Sequence, residues 1–113
     1  MIGMASDSNF VKFFGRSPFI LVVDAFIDNI GSDYSKKEIQ ELAGISKGSL
    51  FKNWRQIEEL GLVKVTRRYG KTKLYALNTD SLIVKDIMKW EMDMIDLKMP
   101  ERQKGKVAVA ASN

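Results

Sequence analysis

The segment Ser35 to Leu50, "SKKEIQELAGISKGSL", constrains this chain more than any other. Ser35 and Glu38 have the spacing of a capping box, in which the serine oxygen and the glutamate carboxylate each satisfy a free backbone N–H at a helix start. The helix so begun runs to about Ala43. Gly44 can take the left-handed conformation that ends it, and Ser46 can cap the next helix. With Ile39, Leu42 and Ile45 apolar around the corner, the two helices must close into a tight helix-turn-helix.

The flanking segments extend this pattern on both sides. From Lys47 the second helix continues to about Leu60 and stops at Gly61. "LVKVTRR" then alternates in character, Tyr69-Gly70 signals a turn, and "TKLYAL" completes a β-hairpin. Upstream, "SPFILVVDAFIDNIG" has Ser17 as N-cap, Pro18 at the first helical position and Gly31 just past the end. Phe19, Ile20, Val23, Phe26, Ile27 and Ile30 recur at three- and four-residue steps, so one face of that helix is buried. "FVKFF" (Phe10 to Phe14) forms a short helical turn before Gly15. Downstream, Thr79 or Asp80 is expected to cap a last helix from Ser81 to about Lys98, ahead of Pro100. The fold class is mainly α with a small β-hairpin (α+β), in the order α-α-α-β-β-α, and 113 residues suit a single domain.

The chain contains no cysteine and no histidine. Disulfides, thiolate nucleophiles, imidazole bases and the usual zinc, copper or iron ligands are therefore excluded, so no metal and no cofactor is expected. Asp24 and Asp28 fall at i and i+4, where paired acids could hold a hard cation, but with no third acid near in sequence they read as a solvated helix face. No nucleophile-base pair or cofactor motif appears, and no enzyme is implied. The longest apolar run, "FILVV", is far too short to cross a bilayer, and no signal-peptide pattern opens the chain; the expectation is a cytoplasmic protein.

Charge is unevenly spread. The net charge is +4, yet Ser35 to Leu77 holds ten basic against four acidic residues, a net of +6, while the remainder is −2. One segment carries all the positive excess, as a surface that meets a polyanion requires. Projected at about 100° per residue, the helix from Lys47 turns Leu50, Trp54 and Ile57 inward and Gly48, Ser49, Lys52, Arg55, Gln56 and Glu59 outward. Gly48 costs about 1 kcal/mol of helix propensity relative to alanine, and burial does not explain it there. Its bareness allows close approach of the helix N-terminus, with its free N–H groups, to a phosphate backbone. Lys52 and Arg55 suit guanine O6 and N7, Gln56 suits adenine, and Ser49 suits either. Phe51 lies at the border of the two faces and is read as core, with contact to a thymine methyl as the other reading. The hairpin tip "TRRYGKTK" holds Arg67, Arg68, Lys71 and Lys73 with no acid, a loop able to lie along phosphates or enter a minor groove.

"YSKKEIQELAGISKGSLFKNWRQIEELGLVKVTRRYGKTKLYAL" resembles the winged helix-turn-helix of bacterial and archaeal transcriptional regulators, close to the ArsR- and MarR-like groups and to small archaeal regulators of that kind. The resemblance implies that the helix from Lys47 enters the major groove and that Arg67 to Lys73 form the wing. The Cys and His ligands of metal-sensing members are missing here. The expected division is a disordered N-terminus (1–9), a winged helix-turn-helix domain (10–80), a dimerisation helix (81–99) and a disordered tail (100–113). The DNA-binding candidates are Ser46, Lys47, Gly48, Ser49, Lys52, Asn53, Arg55, Gln56, Arg67, Arg68, Tyr69, Lys71 and Lys73.

On the last helix, Ile83, Ile87, Trp90, Met94 and Leu97 repeat in the a/d pattern of a coiled-coil seam, with Val84, Met88 and Ile95 in a second line beside it. One helix on a small domain does not easily bury both lines, and these residues are the expected homodimer interface, as is common in the family. The reading is a sequence-specific regulator of transcription that binds double-stranded DNA as a dimer on an inverted repeat. The alternative is a winged-helix module that binds an acidic protein partner within transcription, replication or plasmid-partition machinery.

Overall fold

The structure, a computed structural model, describes residues 7–98. Along these residues run helices α1 (Asn9–Phe14), α2 (Pro18–Asp28), α3 (Lys36–Ala43) and α4 (Lys47–Glu59), strands β1 (Val63–Tyr69) and β2 (Thr72–Leu77), and helix α5 (Leu82–Leu97). Every one of these helices starts at a serine. The hydroxyls of Ser8, Ser17, Ser35, Ser46 and Ser81 each accept a hydrogen bond from a backbone N–H in the first turn, and a cap of this kind contributes about 1 kcal/mol.

Three boundaries differ from expectation. Helix α2 ends at Asp28 with Asn29 as its C-cap, two residues short of the expected end at Ile30. Ser81 is the N-cap of the last helix, not its first residue, because its hydroxyl reaches the N–H of Val84 while the Asp80 N–H is taken by the Asn78 side chain. At the other end, residues 7–9 are part of the fold: Ser8 caps α1 and donates to Asp24 on α2, Asp7 pairs with Arg16, and Asn9 opens α1. Residues 1–6 and the expected tail 100–113 lie outside the described residues.

The helix-turn-helix closes as its caps demand. Both halves of the capping box form, and Gly44 adopts the left-handed conformation (φ 71°), so its N–H and that of Ile45 return to the Gln40 carbonyl. Phe26, Ile39, Leu50 and Ile57 are fully buried where α2, α3 and α4 meet. Trp54 is edge-on to Tyr75 of β2 at 4.8 Å between ring centroids, which ties the second helix of the motif to the hairpin. Leu42 and Ile30, expected on apolar faces, are exposed.

The hairpin is antiparallel, with Tyr69 opposite Thr72 across a turn of Gly70 and Lys71, and Gly70 has the positive φ such a turn needs. A bulge at Thr66 shifts the register between Val65 and Arg67. The outer edge of β2 is not left open. Tyr34 and Tyr75 exchange two backbone hydrogen bonds of 2.8 Å, so the loop before α3 adds a one-residue third strand.

Helix α5 packs back on the domain through Val84, which is only 1% exposed and belongs to the core. This corrects its place in the expected dimer seam: Val84 has no surface to offer a partner, and Ile87, Met88 and Trp90 are also partly used against the chain's own core. Trp90 is boxed by Phe10, Phe13 and Phe14 of α1, with ring centroids 6.0, 5.3 and 5.4 Å away. Left exposed are Leu82, Ile83, Met92, Ile95 and Leu97 on α5 and Phe13 and Phe14 on α1. The position of α5 also brings a third carboxylate within electrostatic reach of Asp24 and Asp28. Burial, and then repulsion from those two aspartates, raises the Glu91 pKa, while Asp28 is raised by burial and by Asp24. The third acid that no sequence neighbourhood supplied thus comes from the last helix. Among the described residues no group of three or more His, Cys, Asp or Glu side chains could hold a metal ion, and no helix is long and apolar enough to cross a membrane.

Candidate nucleic-acid interface

Helix α4 presents the outer face that its periodicity predicts. Leu50, Trp54 and Ile57 are buried, and Gly48, Lys52, Arg55, Gln56 and Glu59 are exposed. A Cβ placed on Gly48 would meet nothing within 4 Å, and its backbone is ordinary helix, so no intramolecular contact requires glycine at this position. Among the described residues the side chains of Lys52 and Gln56 make no hydrogen bond or ion pair, and both are free to engage a ligand.

Other candidates on α4 already have partners. Ser46 caps the helix and donates to the Ser49 hydroxyl, and the Asn53 side chain donates to the Ser49 carbonyl one turn back. These three polar groups serve the helix itself. Arg55 pairs with Glu59 at 3.0 Å, but both side chains are largely in water, where such an i,i+4 pair is worth only about 0.3–0.5 kcal/mol and is readily exchanged. Phe51 corrects the expectation that it is core. It is 51% exposed, with the ammonium groups of Lys36 and Lys47 each 5.7 Å from its ring centroid.

The wing divides into a braced residue and free ones. Arg67 is not a loose cation: its Nε and one terminal nitrogen donate to both oxygens of Asp33 at 2.9 and 3.0 Å, and its other terminal nitrogen reaches the Tyr69 hydroxyl at 3.0 Å. Thr66 donates to the same carboxylate. These hydrogen bonds, that of Arg67 first, hold the Asp33 carboxyl at a pKa of about 2, well below the usual carboxylate range. Asp33 precedes Tyr34, so one short loop fixes the wing twice, by backbone pairing with β2 and by the side chains of β1. Arg68, Lys71 and Lys73 are exposed and, among the described residues, unpaired.

Two lysines missing from the sequence-derived set complete the surface. Lys36 and Lys37, in the first turn of α3, line a cleft of about 490 Å³ with Lys71, Thr72, Lys73 and Tyr75. They also line a second cleft of about 340 Å³ with Gln40, Glu41, Lys47, Leu50 and Phe51. The two lysines therefore bridge the wing and α4 in one cationic trough. The signal that could have found them is electrostatic: cations in the first turn of a helix oppose its dipole, so helix stability does not explain two of them there.

Scans against protein-family models and against the sequences of curated proteins found no match. Solved structures do match the fold. Bordetella bronchiseptica BpsR, whose DNA binding is regulated by 6-hydroxynicotinic acid, superposes with a TM-score of 0.50 at 16% identity, covering 95% of this chain and 76% of its own. Lactococcus lactis ZitR, as a doubly substituted apo protein, gives 0.51 at 13% identity over 98% of this chain and 86% of its own. The heme sensor PefR, bound to heme and carbon monoxide, gives 0.50 at 14% identity over 93% and 80%. At such identities the likeness is one of fold, and the fold is a winged helix-turn-helix: mainly α, with α3 and α4 as the motif and the β1–β2 hairpin as the wing.

Proposed function

We propose that this chain is a sequence-specific regulator of transcription that binds double-stranded DNA, with α4 in the major groove and the wing along the flanking backbone. The observation that carries this reading is the outer face of α4, where Gly48, Lys52 and Gln56 stand exposed without intramolecular work, bordered by the cations Lys36, Lys37, Arg68, Lys71 and Lys73. Bareness at Gly48 suits close approach of a helix N-terminus to phosphate, and lysine with glutamine suits guanine and adenine edges. BpsR, which shares the fold, binds DNA. In this reading Arg67 and Tyr69 shape the wing, while Arg68, Lys71 and Lys73 contact the polyanion.

The regulator is a homodimer. The exposed residues Ile83 and Leu97, on one stripe of α5, together with Phe13 and Phe14 of α1, form a face that water does not suit and that a twofold-related copy would cover. Two α4 helices related by that axis would meet an inverted repeat with half-site centres about 34 Å apart, or a small multiple of it.

Selection of bound sequences from a random duplex library, followed by titration at two salt concentrations, tests this function. The expected result is an enriched palindrome and an affinity that falls steeply with salt. A protein that enriches no sequence and shows no salt-dependent duplex affinity is a module for an acidic protein partner instead.

A further inference from the structure

Resting on the duplex-binding reading, we propose that Phe51 is a specificity-determining residue that reads the 5-methyl group of a thymine in the major groove. Its α4 neighbours Leu50 and Trp54 are buried, whereas Phe51 is turned outward from the core. The ring lies in the cleft of about 340 Å³ between α3 and α4, with Leu50 beside it on the floor and Lys36, Lys37 and Lys47 at the rim. Lys36 and Lys47 approach the ring from two different helices, and cation–π contacts at such an exposed site favour this orientation by about 0.5–1 kcal/mol each.

An apolar floor under a cationic rim selects its occupant. A peptide of acidic residues alone would satisfy the lysines and leave the ring wet. A nucleotide satisfies both, because phosphates meet the ammonium groups while the base edge meets the ring. Thymine is the one DNA base with an apolar substituent at the major-groove edge. Glu41, also on the rim, repels phosphate and leaves the Lys36, Lys37 and Lys47 side as the one along which the backbone passes. Phe51 thereby adds an apolar reader to the polar readers Lys52 and Gln56.

The test uses the selected duplex, with each thymine replaced in turn by deoxyuridine, which removes the methyl and nothing else. The wild-type chain should lose affinity at one position per half-site by about three- to five-fold, the cost of uncovering one methyl group. Phe51→Ala, whose fold is checked by circular dichroism, should bind the thymine and uracil duplexes equally, and Phe51→Leu should keep part of the preference. If Phe51→Ala still discriminates, the residue is not the reader. If the wild type is indifferent to every replacement, the proposal fails while the duplex-binding reading stands. Absence of any duplex binding overturns both.

Discussion

The two exposed faces of this molecule leave opposite chemistry in water. The α4 and wing face is polar and cationic; its lysines and Gln56 are well hydrated, and leaving them exposed is nearly free. The α1 and α5 face is aromatic and aliphatic, and the groove of about 190 Å³ lined by Phe10, Phe14, Ile83, Ile87 and Trp90 has Asp86 as its one charged side chain. Exposure there is unfavourable by roughly 25 cal/mol per Å² of apolar surface. The first face needs a ligand only for function, whereas the second needs cover even at rest. The proposed dimer would reconcile the two, since covering the apolar face would double and orient the polar one.

The largest expected effect follows from breaking that link. Charge at Ile87, the obvious seam position from spacing, would also damage the chain's own core, because Ile87 packs against it. Ile83 and Leu97 are better targets, being 46% and 64% exposed. Ile83→Glu with Leu97→Glu should give a folded monomer by sedimentation, and loss of the linked second half-site should lower operator affinity by about 10²- to 10⁴-fold. A folded monomer that binds the full site with wild-type affinity breaks the comparison at its root, as does a wild-type chain that is already monomeric.

Next in size are the readers on α4. Lys52→Ala or Gln56→Ala should cost roughly 1–3 kcal/mol on the cognate site and little on unrelated duplexes. Equal loss on all duplexes would reassign either side chain to phosphate contact. Gly48→Leu has open space around it in the free chain, so it should leave thermal stability intact while blocking docking. Calorimetry beside a DNA titration separates the two effects, and unchanged affinity would remove the reason given for glycine at this position.

The wing sharpens the comparison within the polar face, because its cations are not equivalent. Neutralising Arg68, Lys71 and Lys73 together should flatten the logarithmic salt dependence by about 0.9 for each phosphate that the variant no longer pairs with a cation. Arg67→Ala should leave that slope nearly unchanged and instead loosen the hairpin, read as faster amide exchange in β1, since Asp33 already holds the guanidinium. The pH dependence has a definite sign. The Asp33 pKa is depressed in the folded chain to about 2, so the brace is complete above the ordinary carboxylate pKa of about 4 and is lost as pH falls through about 2. Wing order should therefore be flat from neutral pH down to about 4, and Asp33→Asn should remove the acid-side transition.

What the sequence made legible was local. Serine caps, the Ser35–Glu38 box, the left-handed Gly44 and the Gly70 turn act within a few residues, and the chain places each where its neighbours predict, apart from the shift of the last N-cap to Ser81 and the cap at Ser8, which falls in the stretch expected to be disordered. The inward and outward faces of α4 were legible for the same reason, since 100° per residue is a local rule. What escaped depends on proximity across the fold. Arg67 looked like a free wing cation because Asp33 is 34 residues away in sequence. Val84 looked like seam because periodicity shows that a face is apolar and not what covers it. Phe51 looked like core because its border angle on the helix does not reveal that α3 presents lysines there. Lys36 and Lys37 counted toward a charge excess, but only the bridging position of α3 between wing and α4 makes them part of the trough.

The smallest effect tests how firmly the apolar face is anchored to the rest of the chain. Helix α5 brings Glu91 within electrostatic reach of Asp24 and Asp28 on α2, so three carboxylates repel one another there. Burial and mutual repulsion raise Glu91 and Asp28 above their unfolded values, so between the two values the folded chain binds more protons than the unfolded chain. Stability should accordingly increase as pH falls from neutral into the raised carboxylate range, and decrease as pH rises back through it. Glu91→Gln should raise neutral-pH stability by roughly 0.2–0.5 kcal/mol, the size of a relieved like-charge helix pair, and should flatten this dependence. Denaturant titrations of both chains at neutral and mildly acidic pH measure it. If wild-type stability is flat across that range, or if the variant keeps the full dependence, the carboxylates do not oppose the docking of α5, and the apolar face is held by Val84 and the Trp90 cluster alone.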